Sequence, residues 1–106
     1  MPSTKLVFAA LADPTRRGIF ERLARHGEDT VGHLTKAAGV SQPATSKHLG
    51  VLERAGLVHC RRSGRESHYS VRPNALVPLI DWMSLYRAFW NERIDRLESL
   101  LKRMDP

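Results

Sequence analysis

Polar side chains that can bond to the edges of DNA bases are concentrated in the stretch SQPATSKHLGVL, residues 41–52. A Gln side chain can bond adenine through two atoms, a Lys can reach O6 or N7 of guanine, and a Ser hydroxyl fits several base edges. At 100° per residue, Ser46, Lys47 and Arg54 share one side of a helix, and that side carries no acidic residue. The predicted base-contacting residues are Gln42, Ser46 and Lys47, supported by Thr45 and His48.

A second concentration of positive charge lies at the tip of a predicted hairpin. Residues 57–62 (LVHCRR) and 67–72 (SHYSVR) alternate in the manner of β-strands, around a turn at residues 63–66 (SGRE). Beside a DNA-binding helix, Arg62 and Arg65 would reach phosphates or the minor groove. The alternative is an ordinary solvated hairpin with scattered charge.

Local signals place the polar stretch on the second of two short helices. Ser41 is a candidate N-cap, and Pro43 fits a first helical turn because its missing N–H has no partner there. Thr30 is the candidate N-cap of a helix over 31–38, and a turn at Gly39 follows it. This arrangement predicts a helix-turn-helix over residues 30–55, whose second helix enters a major groove.

Apolar positions at helical spacing predict the core that supports this motif. Thr45, Leu49 and Leu52 lie on the side of the second helix opposite Lys47. Upstream, a short helix over 5–12 precedes a helix over residues 14–26, which Asp13 caps and Gly27 ends. Two arginines at the start of that helix either hold the DNA backbone or are plain surface residues, and these are Arg16 and Arg17.

The positive charge is confined to the part of the chain that contains these motifs. Net charge is +6 over 106 residues, and the pI is about 10.2. Residues 1–72 hold 12 Lys/Arg against 6 Asp/Glu, whereas residues 73–106 hold 5 against 5. This balance favours an anionic partner, with nucleic acid first and an acidic membrane surface second.

The neutral C-terminal part predicts a long helix over residues 74–103 that binds a second copy of the chain. Its apolar residues step by three or four from Leu76 to Met104, which is more apolar surface than one small domain buries. We therefore predict a two-fold homodimer through segments 1–12 and 74–104. The alternatives are packing on the chain's own domain, or a small-molecule pocket lined by Trp82, Tyr86, Phe89 and Trp90.

Over essentially its full length, the chain resembles the ArsR (arsenic-repressor-like) winged helix-turn-helix regulators. The stretches that carry the resemblance are ALADPTRRGIFERL (10–23), TVGHLTKAAGVSQPATSKHLGVLERAGLV (30–58), RRSGRESHYSV (61–71) and DWMSLYRAFWNERIDRLESLL (81–101). The resemblance implies a mainly α fold with a small β-hairpin: four helices, two strands and a fifth helix in one domain, residues 1–106. It implies a dimeric repressor of transcription that binds inverted repeats in double-stranded DNA. The implied DNA-binding positions are Gln42, Thr45, Ser46, Lys47 and His48 on the recognition helix, and Arg62, Ser63 and Arg65 on the wing, residues 57–72.

No metal site or cofactor is predicted. Metal-sensing relatives carry a Cys-x-Cys pair where this chain has Thr30 and Gly32, and residues 74–106 contain no His or Cys. The chain resembles the branch that lacks these ligands, and an unidentified small-molecule effector is left open as a partner. Cys60, the single cysteine, either packs beside apolar strand residues or acts as a redox sensor.

The remaining sequence features favour a cytoplasmic regulator over an enzyme or a membrane protein. No apolar run approaches the ~18 residues of a membrane span, and the N-terminal residues lack the apolar core of a secretory signal. No glycine-rich phosphate loop or nucleophile with a matching base stands out. The alternative function is a winged-helix scaffold for protein interaction that does not bind DNA specifically.

Overall fold

The computed structural model describes residues 4–104, which form six α-helices and three β-strands. In chain order these are α1 (Thr4–Ala12), α2 (Pro14–His26), β1 (Asp29–Thr30), α3 (Val31–Ala38), α4 (Gln42–Arg54), β2 (Val58–Ser63), β3 (Glu66–Val71), α5 (Val77–Ser84) and α6 (Arg87–Met104). The predicted winged helix-turn-helix is confirmed, with α3 and α4 as its two helices and β2–β3 as the wing. Residues 1–3 of the predicted dimerisation segment, and 105–106 of the predicted domain, lie outside the described part.

Side-chain caps begin the three helices that position the motif. Asp13 accepts from the backbone N–H of Arg16 at 2.8 Å, and Pro14 occupies the first turn of α2. Thr30 and Ser41 cap α3 and α4 in the same way, at 3.3 and 3.2 Å. These caps satisfy N–H groups that have no partner within the helix, so the predicted helix starts at residues 14, 31 and 42 are confirmed.

The core lies where α1, α2, α3 and α4 meet the start of β2. On α4, Leu49 and Leu52 are fully buried, as is the side chain of Thr45. They pack with Ile19, Phe20 and Leu23 of α2 and with other apolar residues of the same cluster: Val7, Ala10, Leu34, Ala55, Leu57, Val58 and Ala75. Because one side of α4 is anchored in this way, its opposite side is held toward solvent.

The sheet has three strands in the order β1-β3-β2, all antiparallel. In the wing, Val58 pairs with Val71 and Ser63 with Glu66, so the turn between the strands is only Gly64-Arg65. The predicted four-residue turn at 63–66 is therefore too long by one residue at each end. The strand β1 was not predicted, and its pairing with β3 ties the start of α3 to the base of the wing.

The C-terminal segment is two helices instead of the single long helix predicted over 74–103, and the first of them begins at Val77 with Pro78 in its first turn. At the break, the backbone N–H groups of Leu85 and Tyr86 donate to carbonyls three residues earlier, at 3.2 and 3.0 Å. Bonds of this spacing tighten the chain into a 3₁₀ turn and interrupt the α-helical ladder. The Ser84 hydroxyl also donates to the Ile80 carbonyl at 2.9 Å, a contact that bends helices.

Apolar side chains on α1, α5 and α6 are exposed in the protomer. On α1, Leu6 and Phe8 are 49% and 43% exposed, and on α6 no residue is buried. The ring of Phe8 meets that of Trp82 edge-on with centroids 5.1 Å apart, which joins α1 to α5. The exposed apolar residues of α5, the break and α6 are Val77, Ile80, Trp82, Met83, Leu85, Tyr86, Phe89, Trp90, Ile94, Leu97, Leu100, Leu101 and Met104.

The turn between α3 and α4 depends on Gly39, whose φ is +69°. An L side chain in this left-handed conformation costs about 1 kcal/mol, so we expect Gly39→Ala to lower the free energy of unfolding by that amount. Gly18 of α2 is the matched control: a Cβ there meets nothing within 4 Å. Gly18→Ala should raise stability by about 0.5–1 kcal/mol because it restricts the unfolded chain. Urea unfolding of both variants tests this; equal effects of the two substitutions would contradict it.

Candidate nucleic-acid interface

The solvent side of α4 carries most of the side chains that the sequence selected for base contacts. Gln42, Ser46 and Lys47 are exposed, and His48 is half-buried at the edge of the same side. No ion pair involves Lys47 within residues 4–104, so its ammonium is available to an external anion. The exposed part of α4 therefore offers hydrogen-bond donors and one positive charge without an ion pair within the first two turns of the helix.

Thr45 does not belong to this exposed group, which corrects its prediction as a DNA-contacting residue. Its side chain is fully buried, and its hydroxyl donates to the Ser41 carbonyl at 3.0 Å. The physical reason is its angular position, because it shares the packed side of α4 with Leu49 and Leu52. The sequence pattern had already placed Thr45 on the packed side of the helix. Its hydroxyl group can bond DNA in principle, but a buried side chain cannot reach it.

Arg16 connects this exposed side to the end of α1. Its Nε donates to the Ala10 carbonyl at 2.6 Å, and its Nη2 donates to the Ala9 carbonyl at 3.1 Å. Its Nη1 lies 3.4 Å from Nδ1 of His48 on α4. Arg16 is therefore not a plain surface residue, which was one of its two predicted roles: it is half-buried and bridges two helices.

Asp13 adds a negative charge to this junction. The N–H of Arg16 that donates to its carboxylate is the main cause that lowers the pKa of Asp13. Burial partly opposes the shift, while His48 in its protonated form and the charge of Arg16 lower the pKa further. The carboxylate therefore stays ionised and helps to hold Arg16 at the start of α2.

On the wing, Arg62, Ser63 and Arg65 are all exposed, as the predicted phosphate-contacting positions require. Neighbouring Arg61 differs, because its Nη2 lies 2.6 Å from a carboxylate oxygen of Glu28. This hydrogen bond is the main cause that lowers the pKa of Glu28 and raises that of Arg61. The wing thus presents one arginine engaged within the protein and two that are free of ion pairs among the described residues.

The other titratable groups of the wing do not converge on one point. His59 is hydrogen-bonded to the Ser70 hydroxyl at 2.9 Å, whereas His68 lies 3.8 Å from Glu28. Burial, followed by a hydrogen bond with Cys60, raises the pKa of Tyr69 to about 12. Cys60 itself is exposed, so the expectation that it packs among strand residues is wrong. Within residues 4–104, no three His, Cys, Asp or Glu side chains are grouped so that they could hold a metal ion.

Comparison with known proteins places this geometry in a family. Residues 11–61 match a helix-turn-helix domain family. The transcriptional repressor SdpR of Bacillus subtilis (strain 168) is 36% identical over 77 residues, which are 73% of this chain and 84% of SdpR. The crystal structure of the ArsR family transcriptional regulator RHA00566 superposes with a TM-score of 0.73 at 31% identity, over 82% of this chain and 89% of that one. The chain belongs to the ArsR family.

A second related structure is a homodimer. It is the solution structure of the homodimeric winged helix-turn-helix DNA-binding domain Mb0332 (fragment 1–100) from Mycobacterium bovis. It matches at 28% identity and a TM-score of 0.64, over 79% of this chain and 77% of that one. The chain spans 53–64% of the lengths of four further regulators that it matches.

Within this ArsR-family fold, two contacts escaped prediction from the sequence. Arg16 meets His48 across 32 positions, and Arg61 meets Glu28 across 33 positions. Both depend on how elements distant in the chain pack together, and no local spacing signals them. The one available clue was that Arg16, Arg61 and Glu28 are long charged side chains next to predicted element ends.

No described helix is long and apolar enough to pass through a bilayer.

Proposed function

We propose that this ArsR-family protein is a transcriptional repressor that binds an inverted repeat in double-stranded DNA as a homodimer. The observation that carries the proposal is the anchored helix α4, whose exposed side presents Gln42, Ser46 and Lys47. In a helix-turn-helix, this side of the second helix reads base edges in the major groove. The proposal requires binding and no catalysis, and it places the protein in the cytoplasm with the DNA.

Unpaired positive charge around α4 supports DNA as the partner. Lys47, Arg54, Arg62 and Arg65 are exposed, and within residues 4–104 none of them forms an ion pair. Phosphate contacts of this kind supply most of the affinity for DNA and fix the protein's register on the duplex. A protein-interaction scaffold would have no need for exposed cations without ion pairs on both the recognition helix and the wing.

The exposed apolar side of α1, α5 and α6 supports the homodimer. Residues on α6 such as Trp90, Ile94 and Leu97 are each more than half exposed in the protomer. Soluble monomers rarely keep so large an apolar surface in water, and the related Mb0332 domain is homodimeric. A two-fold dimer would place two copies of α4 on one side of a duplex, as an inverted repeat requires. Such a complex would repress transcription by occupying the promoter. The existence of a small-molecule effector stays a prediction.

A duplex-binding assay separates the proposed repressor from the scaffold. Fluorescence anisotropy with promoter fragments at physiological salt should reveal a specific complex that survives a large excess of unrelated duplex. The specific affinity of such proteins exceeds their non-specific affinity about 10³-fold or more. Binding that disappears with competitor or with a small rise in salt would be simple charge attraction, and it would leave the scaffold as the better function.

The two neighbouring arginines of β2 provide a matched test of the wing. We expect Arg62→Ala to weaken duplex binding about tenfold and to reduce the slope of log affinity against log salt by about one. Arg61→Ala should leave that slope nearly unchanged, because Glu28 already holds the Arg61 guanidinium. Anisotropy titrations at several salt concentrations measure both; equal losses from the two variants would remove Arg62 from the interface.

A further inference from the structure

All three nitrogens of the Arg16 guanidinium are directed at acceptors inside the protein. Two of them hold the last-turn carbonyls of α1, Ala9 and Ala10, at 3.1 and 2.6 Å. The third reaches Nδ1 of His48 on the recognition helix, at 3.4 Å. A single side chain therefore spans from the end of α1 to the edge of the proposed DNA-binding surface.

In a neutral His48 ring, this contact selects one of the two tautomers. A guanidinium group only donates hydrogen bonds and does not lose its proton at physiological pH. Nδ1 of His48 must therefore accept, and a neutral imidazole that accepts at Nδ1 carries its proton on Nε2. Arg16 contacts Nδ1 and not Nε2, so this tautomer keeps an N–H donor at Nε2 for another partner.

We propose that Arg16 is a positioning residue that fixes His48 as an Nε2–H donor to a phosphate oxygen of the bound duplex. The inference rests on the proposed DNA-binding function. His48 is half-buried at the edge of the exposed side of α4, where a recognition helix faces the sugar-phosphate backbone rather than base edges. In the other tautomer, Nε2 would be an acceptor and would be repelled by the phosphate oxygen.

The same contacts join DNA recognition to the proposed dimer surface. α1 carries Leu6 and Phe8, which are exposed on the apolar side, and Phe8 packs against Trp82 of α5. The C-terminal carbonyls of this helix are the groups that orient the Arg16 guanidinium. Arg16 is thus the side chain that connects α1, on the proposed dimer surface, to His48 of the recognition helix.

The first test reads the tautomer of His48 directly, without DNA. Imidazole ¹⁵N shifts at pH 8, above the usual titration range of histidine, should show the Nε2–H form of His48 in the native protein. Arg16→Lys keeps the charge but cannot reach three acceptors at fixed angles, so it should give a mixture of tautomers. Arg17→Lys is the matched control: Arg17 donates to the Leu11 carbonyl, and the contacts of the described chain do not link it to α4. An unchanged tautomer in Arg16→Lys would overturn the proposal; Arg16→Gln repeats the measurement if the Lys variant does not fold.

The second test asks whether Arg16 acts through His48. Arg16→Lys and His48→Ala should each weaken specific duplex binding about tenfold, the equivalent of one hydrogen bond to a charged group. The double variant should be no weaker than either single variant. Additive losses would mean that Arg16 contacts DNA independently, and an unchanged affinity in Arg16→Lys would overturn the positioning role. A native protein that binds no duplex would instead refute the proposed function and leave the tautomer result standing.

Discussion

An Ile94→Glu, Leu97→Glu double variant should be a folded monomer that binds its operator at least about 100-fold more weakly than the native protein. These two side chains are 52% and 55% exposed in the protomer, so charged replacements do not disturb a core. In a dimer, however, they would bury two carboxylates per protomer in an apolar seam, at a cost that far exceeds the gain from assembly. A monomer can contact only one half-site of the operator. Its specific affinity should therefore exceed its non-specific affinity by much less than that of the dimer does.

Ser99 supplies the control for this experiment. It lies on the opposite side of α6, next to Arg96 and Arg103 in the helical projection. Ser99→Glu adds the same charge to the same helix and should leave both the dimer and operator affinity intact. Sedimentation equilibrium at micromolar concentration gives the assembly state, and anisotropy gives the affinity. If the double variant remains a dimer, the α6 surface is not the interface.

Lys47→Glu should lower operator affinity about 100-fold while the protein remains folded and dimeric. The substitution removes one cationic contact with DNA and places a carboxylate where the recognition helix meets a dense row of phosphates. Lys47 is exposed on α4 and has no ion pair within residues 4–104, so the change breaks no contact of the fold. Affinity measured across salt concentrations should also show a slope smaller by about one.

Arg103→Glu makes the same change in charge at a distant site and controls for net charge alone. Arg103 is exposed near the end of α6, on the side of that helix away from its apolar residues. It should weaken binding only slightly, through the loss of long-range attraction, which salt screens within about 10 Å. Comparable losses from the two substitutions would show that affinity follows total charge and that α4 has no special place in the interface.

Local signals were enough to predict the helix-turn-helix. Asp13, Thr30 and Ser41 each accept the N–H three residues later, and Gly27 and Gly39 adopt positive φ at the ends of their helices. Caps act within one turn of chain, so their residue types mark helix ends whatever surrounds them. Helical periodicity then identified which side of α4 is buried, because Leu49 and Leu52 lie one turn apart.

The errors occurred where the outcome depends on packing between distant elements. β1 is only Asp29–Thr30, too short for an alternating pattern, and it is a strand because β3 lies beside it. The break between α5 and α6 contains no proline or glycine that would have predicted it. It consists of hydrogen bonds from Leu85 and Tyr86 to carbonyls three residues earlier. The bridge from Arg16 to His48 likewise requires the folded arrangement of α1, α2 and α4.

Selection of bound duplexes from random DNA by the native protein is the most direct test of the account. Two copies of α4 held by one apolar seam should enrich a two-fold symmetric sequence. Its half-sites should be centred about 10 base pairs apart, or a multiple of that spacing, as one turn of B-DNA requires. Enrichment of a single asymmetric half-site, or of no sequence at all, would contradict the paired recognition helices on which the proposed repressor rests.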